Sequence, residues 1–208
     1  MVDRNTVREL LVPFDISISE ETIDKLLLYL DLLLRWNRKI NLTAIEDPQK
    51  CVTRHFGESF FISKAVPLTG RLLDVGSGAG FPGLAAKLIA PNLEVVLLEP
   101  VSKKRVFLKE VARGCVMSSV QVLGQRLEEF AHIQKPLLFD LITVRAVGAL
   151  ESLVPKATVL LKSSGRLCLW VGGQQIRGIM EANPDLEWQI PLAIPLSHER
   201  FILTGLRA

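Results

Sequence analysis

Apolar positions along the chain change period once, near residue 70, and that change divides it into two textures. Through the first ~65 residues they recur at helical spacing. Ile23, Leu26, Leu27, Leu30 and Leu34 form one stripe, and Leu28, Leu32 and Trp36 form a second. Ser17-Ile18-Ser19-Glu20 fits a capping box ahead of them. The spacing predicts a largely buried helix that ends near Asn37. Asp47-Pro48 marks a second helix start, and the segment from Gln49 to Ala65 carries Arg54 and His55. His55 reads as a surface or cap residue rather than a catalytic one.

From Arg71 onward short apolar runs alternate with helical segments. Strands are predicted at 71–75, 93–99, 120–123, 138–144 and 165–171, the βαβ rhythm of a parallel sheet with helices on both faces. Past Gly173 the pattern predicts a helix through Asn183-Pro184, a strand from Leu186 to Ile190 and a last run from Phe201 to Leu206. Two late strands so close together suggest an antiparallel pair at the sheet edge, unlike a plain dinucleotide-binding sheet. The reading is an α/β, Rossmann-like, mostly parallel seven-stranded sheet with a reversed last strand, as in class I methyltransferases. Residues 1–66 are expected to form a helical extension packed on the core, and residues 67–208 one compact domain of the methyltransferase fold.

The stretch Arg71 to Leu88 carries the most chemistry. Asp74 ends a strand, and Gly76, Gly78, Gly80 and Gly83 follow within ten residues, before an Ala/Leu-rich helix. Such a turn bares backbone N–H groups at a helix N-terminus, where an anionic or polar ligand is favoured. Gly78, Gly80 and Gly83 fit the dinucleotide pattern G-x-G-x-x-G. Asp74, Gly76, Gly78 and Gly80 fit D-x-G-x-G-x, the form used with S-adenosylmethionine. Glu99, at the end of the second strand, suits the ribose hydroxyls of either cofactor. The spacing alone leaves both open.

Composition narrows the rest. The 208 residues are 49% hydrophobic, enough for one well-filled core. A net charge of +3 permits an anionic partner without requiring one. Three separated cysteines and three separated histidines predict neither disulfide nor metal site. The start shows no signal-peptide pattern and no apolar segment reaches membrane length, so a soluble cytoplasmic chain is expected. Lys103, Lys104, Arg105, Lys109 and Arg113 make one basic helical segment, and Arg35, Arg38, Lys39, Arg54, Arg166 and Arg200 are further phosphate candidates. Singly, each charge reads first as a solvated surface residue.

Six motifs in order resemble one family over almost the whole chain, the bacterial small-subunit ribosomal RNA guanine-N7 methyltransferases, also called glucose-inhibited division protein B. They are Trp36-Asn37 with Asn41-Leu42-Thr43; Arg54-His55; DVGSGAGFPG; Ser102 to Arg105 with Phe107-Leu108; Arg126 to Glu129; and Phe139-Asp140 with Arg145-Ala146. The resemblance implies S-adenosyl-L-methionine as cofactor and a guanine of 16S rRNA, naked or in the small subunit, as substrate; separately, a monomer with no membrane partner is expected. It sets the cofactor against Gly76, Phe81, Leu127, Glu128 and Arg145; the glycine pattern adds Gly78 and the strand-end argument Glu99. The RNA candidates are Arg38, Lys39, Arg54, Lys103, Lys104, Arg105 and Arg200. Thr143-Val144-Arg145 lacks the serine that often precedes the arginine in the family. Val171 stands where relatives commonly carry lysine. Guanine N7 offers a lone pair at neutral pH, so no general base is expected. The competing readings are a methyltransferase of another RNA, a protein or a small molecule, and a dinucleotide-binding module.

Overall fold

A computed structural model describes residues 2–133, 138–145, 148 and 150–207. Ala146, the last residue of the sixth motif, lies outside them.

The N-terminal third is helical. Helix α1 (Arg4–Leu11) leads through a 3-10 turn to α2 (Glu20–Ile40), the longest helix described. Its N-cap is Ser19, whose Oγ accepts the Thr22 N–H, rather than Ser17. The helix also runs past Asn37 to Ile40, where Asn41 turns left-handed (φ 46°). Asn37 accounts for the abrupt stop. Its Oδ1 accepts the N–H groups of Leu42 (2.7 Å) and Thr43 (2.8 Å), and its Nδ2 donates to the Thr43 carbonyl (2.9 Å). The second leucine stripe is not wholly inside, since Leu28 stays exposed.

The predicted helix over 49–65 is broken into pieces: α3 (Pro48–Cys51), capped by Asp47, a π-helical turn (Val52–Gly57), α4 (Glu58–Phe60) and a 3-10 turn (Phe61–Lys64). Arg54 and His55 sit in the π turn, a distortion that often marks functional sites.

The rest alternates: β1 (Arg71–Val75), α5 (Gly83–Ile89), β2 (Glu94–Leu98), α6 (Ser102–Gly114), β3 (Val120–Leu123), α7 (Leu127–Ile133), β4 (Phe139–Arg145), α8 (Leu150–Thr158), β5 (Leu161–Gly172) and α9 (Gly173–Ala182). Then come β6 (Leu186–Trp188), the two-residue β7 (Leu192–Ala193) and β8 (Arg200–Arg207). The strand order is β3-β2-β1-β4-β5-β8-β6 with β7 also on β8, so the sheet has eight strands and not the expected seven. The first five pair in parallel, while β8 runs antiparallel between β5 and β6.

Strand parity assigns side chains to layers, because alternate residues point to opposite faces. Leu72, Leu141, Cys168, Trp170 and Ile202 share one apolar cluster with the N-terminal helices, α5 and α6. Leu73, Ile142, Val144, Leu169, Val171 and Leu203 join a second cluster with residues of α7 to α9. Val171 is therefore a core residue, which fits an apolar side chain there. The alternation also sends Asp74, Thr143 and Arg145 toward the N-terminal helices. Among the described residues no helix is long and apolar enough to cross a membrane.

Candidate functional site

The carboxyl ends of β1 and β2 are joined by backbone. Gly76 and Ser77 both donate N–H bonds to the Leu98 carbonyl (3.0 Å each), and Gly80 N–H donates to Ser77 (2.6 Å). Gly76, Gly78 and Gly80 adopt positive φ of 69°, 55° and 87°, where an L side chain is strained. Gly78 N–H then reaches Glu99 Oε2 (2.9 Å), and Glu99 Oε1 accepts the Val101 N–H (2.8 Å). The buried Glu99 carboxylate thus ties the glycine loop to the start of α6. Arg105 fastens the same corner, donating from one nitrogen to the carbonyls of Glu99 (3.0 Å) and Pro100 (2.6 Å). One nitrogen of its half-buried guanidinium is thereby held by the protein, while the expectation that Arg105 touches RNA concerns the rest of the group.

Below the loop, Asp74 is fully buried and accepts the Thr143 hydroxyl at 2.7 Å. Burial pushes its carboxyl up to about 6, against opposing hydrogen bonds from Thr143, Ser77 and Gly83. Its Oδ2 has no hydrogen-bond partner.

A cavity of about 280 Å³ opens beside the loop, lined by Gly76, Leu98, Pro100, Gln125, Leu127 and Glu128 among others. Gly76, Leu127 and Glu128 of the expected cofactor set are thereby brought together, with Gly78 and Glu99 linked alongside. Glu128 pairs with Lys156 (2.9 Å), whose hydrogen bond holds the carboxyl below its ordinary value. A larger hollow of about 650 Å³ lies at the other end of the sheet, around Gly70 and Asn92. Its only charged lining groups, Asp15 and Lys64, pair with each other (2.6 Å), so it offers less chemistry.

Phe81 and Arg145 point elsewhere. The Phe81 ring is buried, stacked on Tyr29 (centroids 5.2 Å, 7°) and on His55 (4.8 Å, 16°), with Phe56 edge-on (5.0 Å). Tyr29 Oη donates to the Ala79 carbonyl at 2.5 Å, which locks α2 onto the glycine loop. His55 Nε2 is hydrogen-bonded to Thr43 Oγ1 (2.8 Å), so the Asn37, Thr43 and His55 motifs form one relay ending on Phe81. Burial first, then the charges of Arg145 and Arg54, drive His55 down to about 3. It is neutral at physiological pH and half-buried against Phe81 rather than free at a surface cap.

Arg145 ends β4 and meets Glu58, a residue sequence reading missed. Glu58 is 1% exposed, and its carboxylate faces three guanidinium groups: Arg200 (2.7 Å), Arg54 (2.9 Å) and Arg145 (3.2 Å). Arg145 also donates to the Arg54 carbonyl (2.6 Å) and Ser59 Oγ (3.2 Å), while Trp170 Nε1 donates to the Glu58 carbonyl (3.2 Å). The sequence did hold a signal: an acid four residues after Arg54, set inside the run Phe56 to Ile62. Of the remaining basic candidates, Arg38 and Lys39 are exposed at the end of α2, Lys103 is exposed and Lys104 half-buried on α6. Arg35 pairs with Asp31, and Arg166 sits on β5 toward the end far from the loop.

The loop fits S-adenosylmethionine by a local test. A Cβ on Gly78 would meet no atom nearer than 3.8 Å, so the space in front of it is open, whereas one on Gly80 would strike Tyr29 Oη at 2.3 Å. Open backbone, an acidic strand end and an adjoining cavity are what a nucleoside cofactor needs at this end of such a sheet.

Comparison with known proteins agrees with this arrangement. The chain is similar to a structure titled as a SAM dependent methyltransferase from Aquifex aeolicus, with TM-score 0.62 at 14% identity, covering 81% of this chain and 97% of that one. At that identity the likeness concerns the fold. Nearer relatives are the ribosomal RNA small subunit methyltransferase G of Syntrophotalea carbinolica, 34% identical over 97% of this chain and 93% of the relative, and that of Xylella fastidiosa strain 9a5c, 40% identical over 88% and 82%. A family profile described as rRNA small subunit methyltransferase G matches residues 22–201, and the chain belongs to that family.

Proposed function

We propose that the chain transfers a methyl group from S-adenosyl-L-methionine to N7 of a guanine in small-subunit (16S) ribosomal RNA. The observation that carries this reading is the Gly78 N–H bond to Glu99, which sets an open glycine loop and an acidic strand end beside a cavity at the sheet's carboxyl edge. Gly76, Gly78, Leu127 and Glu128 would hold the cofactor, Glu99 its ribose hydroxyls. Phe81 and Arg145 would act from behind the loop, through the aromatic stack and the Glu58 cluster. The bound cofactor supplies an electrophilic methyl group.

For their part, the residues of this chain need only position. N7 carries a free lone pair, so there is no proton for a base to take, and alignment can contribute roughly 7–11 kcal/mol. His55 is neutral and shielded between Thr43 and Phe81, which suits a packing role better than proton transfer. The aromatic layer packs against the inner side of the loop and holds it to α2.

We read residues 1–66 as an extension of one compact unit with 67–208, supported by the apolar cluster running from Val7 to Ile202. We read the chain as a cytoplasmic monomer, a location that a ribosomal RNA substrate favours. The test is tritiated methyl transfer to naked 16S rRNA and to small subunits, followed by mapping of the modified base. Label on N7 of one guanine is the expected result. Absence of transfer to either substrate, together with a melting shift caused by NAD and not by S-adenosylhomocysteine, would overturn it in favour of a dinucleotide-binding module.

A further inference from the structure

We propose that Arg54 and Arg200, seated on the buried Glu58 carboxylate, form a phosphate clamp that grips the RNA backbone next to the target guanine. The inference rests on RNA being the substrate, and it assigns a site to the contact.

Charge counting comes first. One carboxylate needs one cation, and Glu58 has three within 3.2 Å. Arg145 is the natural partner, because its side chain is only 15% exposed and it is also held by hydrogen bonds to Arg54 O and Ser59 Oγ. Arg54 and Arg200 are surplus, two positive charges gathered at one place with side chains 42% and 31% exposed. Holding like charges together is costly unless a further anion completes the group. That points to a ligand.

The donors point the same way. Among the described residues the buried Nε atoms of Arg54 and Arg200 make no hydrogen bond, although Arg54 Nε lies 2.9 Å from Glu58 Oε1; it is the exposed remainder of each side chain, not these atoms, that a further anion can reach. Buried donors without acceptors are uncommon and costly. Two guanidinium forks fixed on a common carboxylate match the oxygens of a phosphodiester, which a single lysine charge would not grip with the same geometry.

Placement then favours RNA over the cofactor's own carboxylate. Arg145 ends β4, next to β1, whereas Arg200 starts β8 opposite Gly172, two strands further out. At ~4.8 Å per strand, β8 lies roughly 14 Å from β1 across the sheet. A nucleotide whose base is turned out toward the glycine loop must leave its backbone outside, on this flank. Glu58 is then a positioning residue, which preorganises both arginines without touching RNA.

The test measures binding of a single-stranded decauridine and of S-adenosylhomocysteine to the full chain between 50 and 300 mM salt. Wild type is compared with Arg54→Gln, Arg200→Gln and the double variant. Arg145 still neutralises Glu58 in all three, so folding should persist, and the single variants stand in if the double does not fold. Each lost phosphate contact should flatten the salt dependence by about 0.7 log units per decade, about 1.4 for the double, with the S-adenosylhomocysteine affinity within twofold of wild type. The charge-keeping pair Arg54→Lys and Arg200→Lys should restore the slope but not the full affinity. Unchanged slopes in the glutamine variants, or no salt-dependent binding by wild type, would overturn the clamp. So would a tenfold loss of S-adenosylhomocysteine affinity with RNA binding intact, which would hand the cluster to the cofactor. Wild type that binds decauridine with the expected slope and yet methylates no rRNA would sink the methyltransferase reading and leave the clamp standing.

Discussion

The two flanks of the site are built by opposite means. On the β1–β2 flank the structure is mostly backbone: positive-φ glycines, N–H bonds to Leu98, and a Glu99 carboxylate closing a corner within some thirty residues of sequence. On the β4–β8 flank it is side chain, with Glu58 gathering Arg54, Arg145 and Arg200 from positions as much as 142 residues away from it. A backbone-built flank tolerates change wherever the side chain is not used and fails where glycine is required. A side-chain-built flank concentrates its dependence on one buried charge.

The largest effect should therefore follow removal of that charge. Glu58→Ala leaves Arg145 and two further guanidinium groups facing one another without a counter-ion, and breaking a buried ion pair in this way costs about 3–5 kcal/mol. In a chain of this size each kcal/mol lowers the melting temperature by roughly 2–4 °C, so thermal unfolding should begin well below that of wild type. A variant melting within two degrees of wild type would mean that the three arginines are solvated separately, and the contrast between the flanks would collapse.

Next in size is a contrast within the glycine loop itself. Gly80→Ala places a methyl 2.3 Å from Tyr29 Oη and 2.9 Å from Leu84 Cδ1 at φ +87°, and Tyr29 is pinned by its stack on Phe81 and its bond to Ala79. Left-handed strain of about 1–2 kcal/mol plus the overpacking should cost roughly 3 kcal/mol of stability, with cofactor affinity kept once folded. Gly78→Ala should do the reverse. Its Cβ meets only Gly76 O at 3.8 Å, so it loses about 1 kcal/mol of stability while its methyl enters the space reserved for the cofactor. Calorimetry with S-adenosylhomocysteine and a melting curve on each variant decide the matter. Equal affinity in Gly78→Ala and wild type would show that the open face of the loop is not the binding face.

The same contrast explains what the sequence made legible. Glycine spacing, an acid at a strand end and alternating apolar runs are local patterns, so the strands at 71–75 and 120–123, the loop and Glu99 can be read directly. Asn37 and Thr43 were visible as motif residues, yet their relay to His55 depends on a π turn that helical periodicity does not reveal. Glu58 was hidden more deeply, since an acid in an apolar run has meaning only when strand parity has sent Arg145 toward the N-terminal helices. Arg105 has a structural role that its neighbours in sequence do not reveal. Sitting beside Lys103 and Lys104 it looked like part of a basic face, whereas its position on α6 turns it inward to the Glu99 and Pro100 carbonyls. The two-residue β7 is too short for any period to register.

The smallest effect separates the flanks by proton chemistry, and it should be close to zero. Two groups behind the loop matter for the acid side of the profile: His55, driven down to about 3, and Asp74, pushed up to about 6. Because the folded state binds fewer protons at His55 than the unfolded chain, its contribution to stability is present above about pH 6.5 and is lost as pH falls toward 3. Asp74 has the opposite sign: the folded state holds its proton more tightly, so its contribution is present below about pH 4 and is lost as pH rises through 6. Both changes are centred below the range in which methyl transfer would be assayed. With His55 already neutral, Asp74 mostly ionised and no proton to be taken from guanine N7, single-turnover rates at saturating RNA and cofactor should vary less than twofold between about pH 6.5 and 8.5, where an essential base would impose a tenfold change per unit. A limb of that steepness, abolished in His55→Gln while both ligands still bind, would place a titrating base on the loop flank and move the target from N7 to a group that must lose a proton.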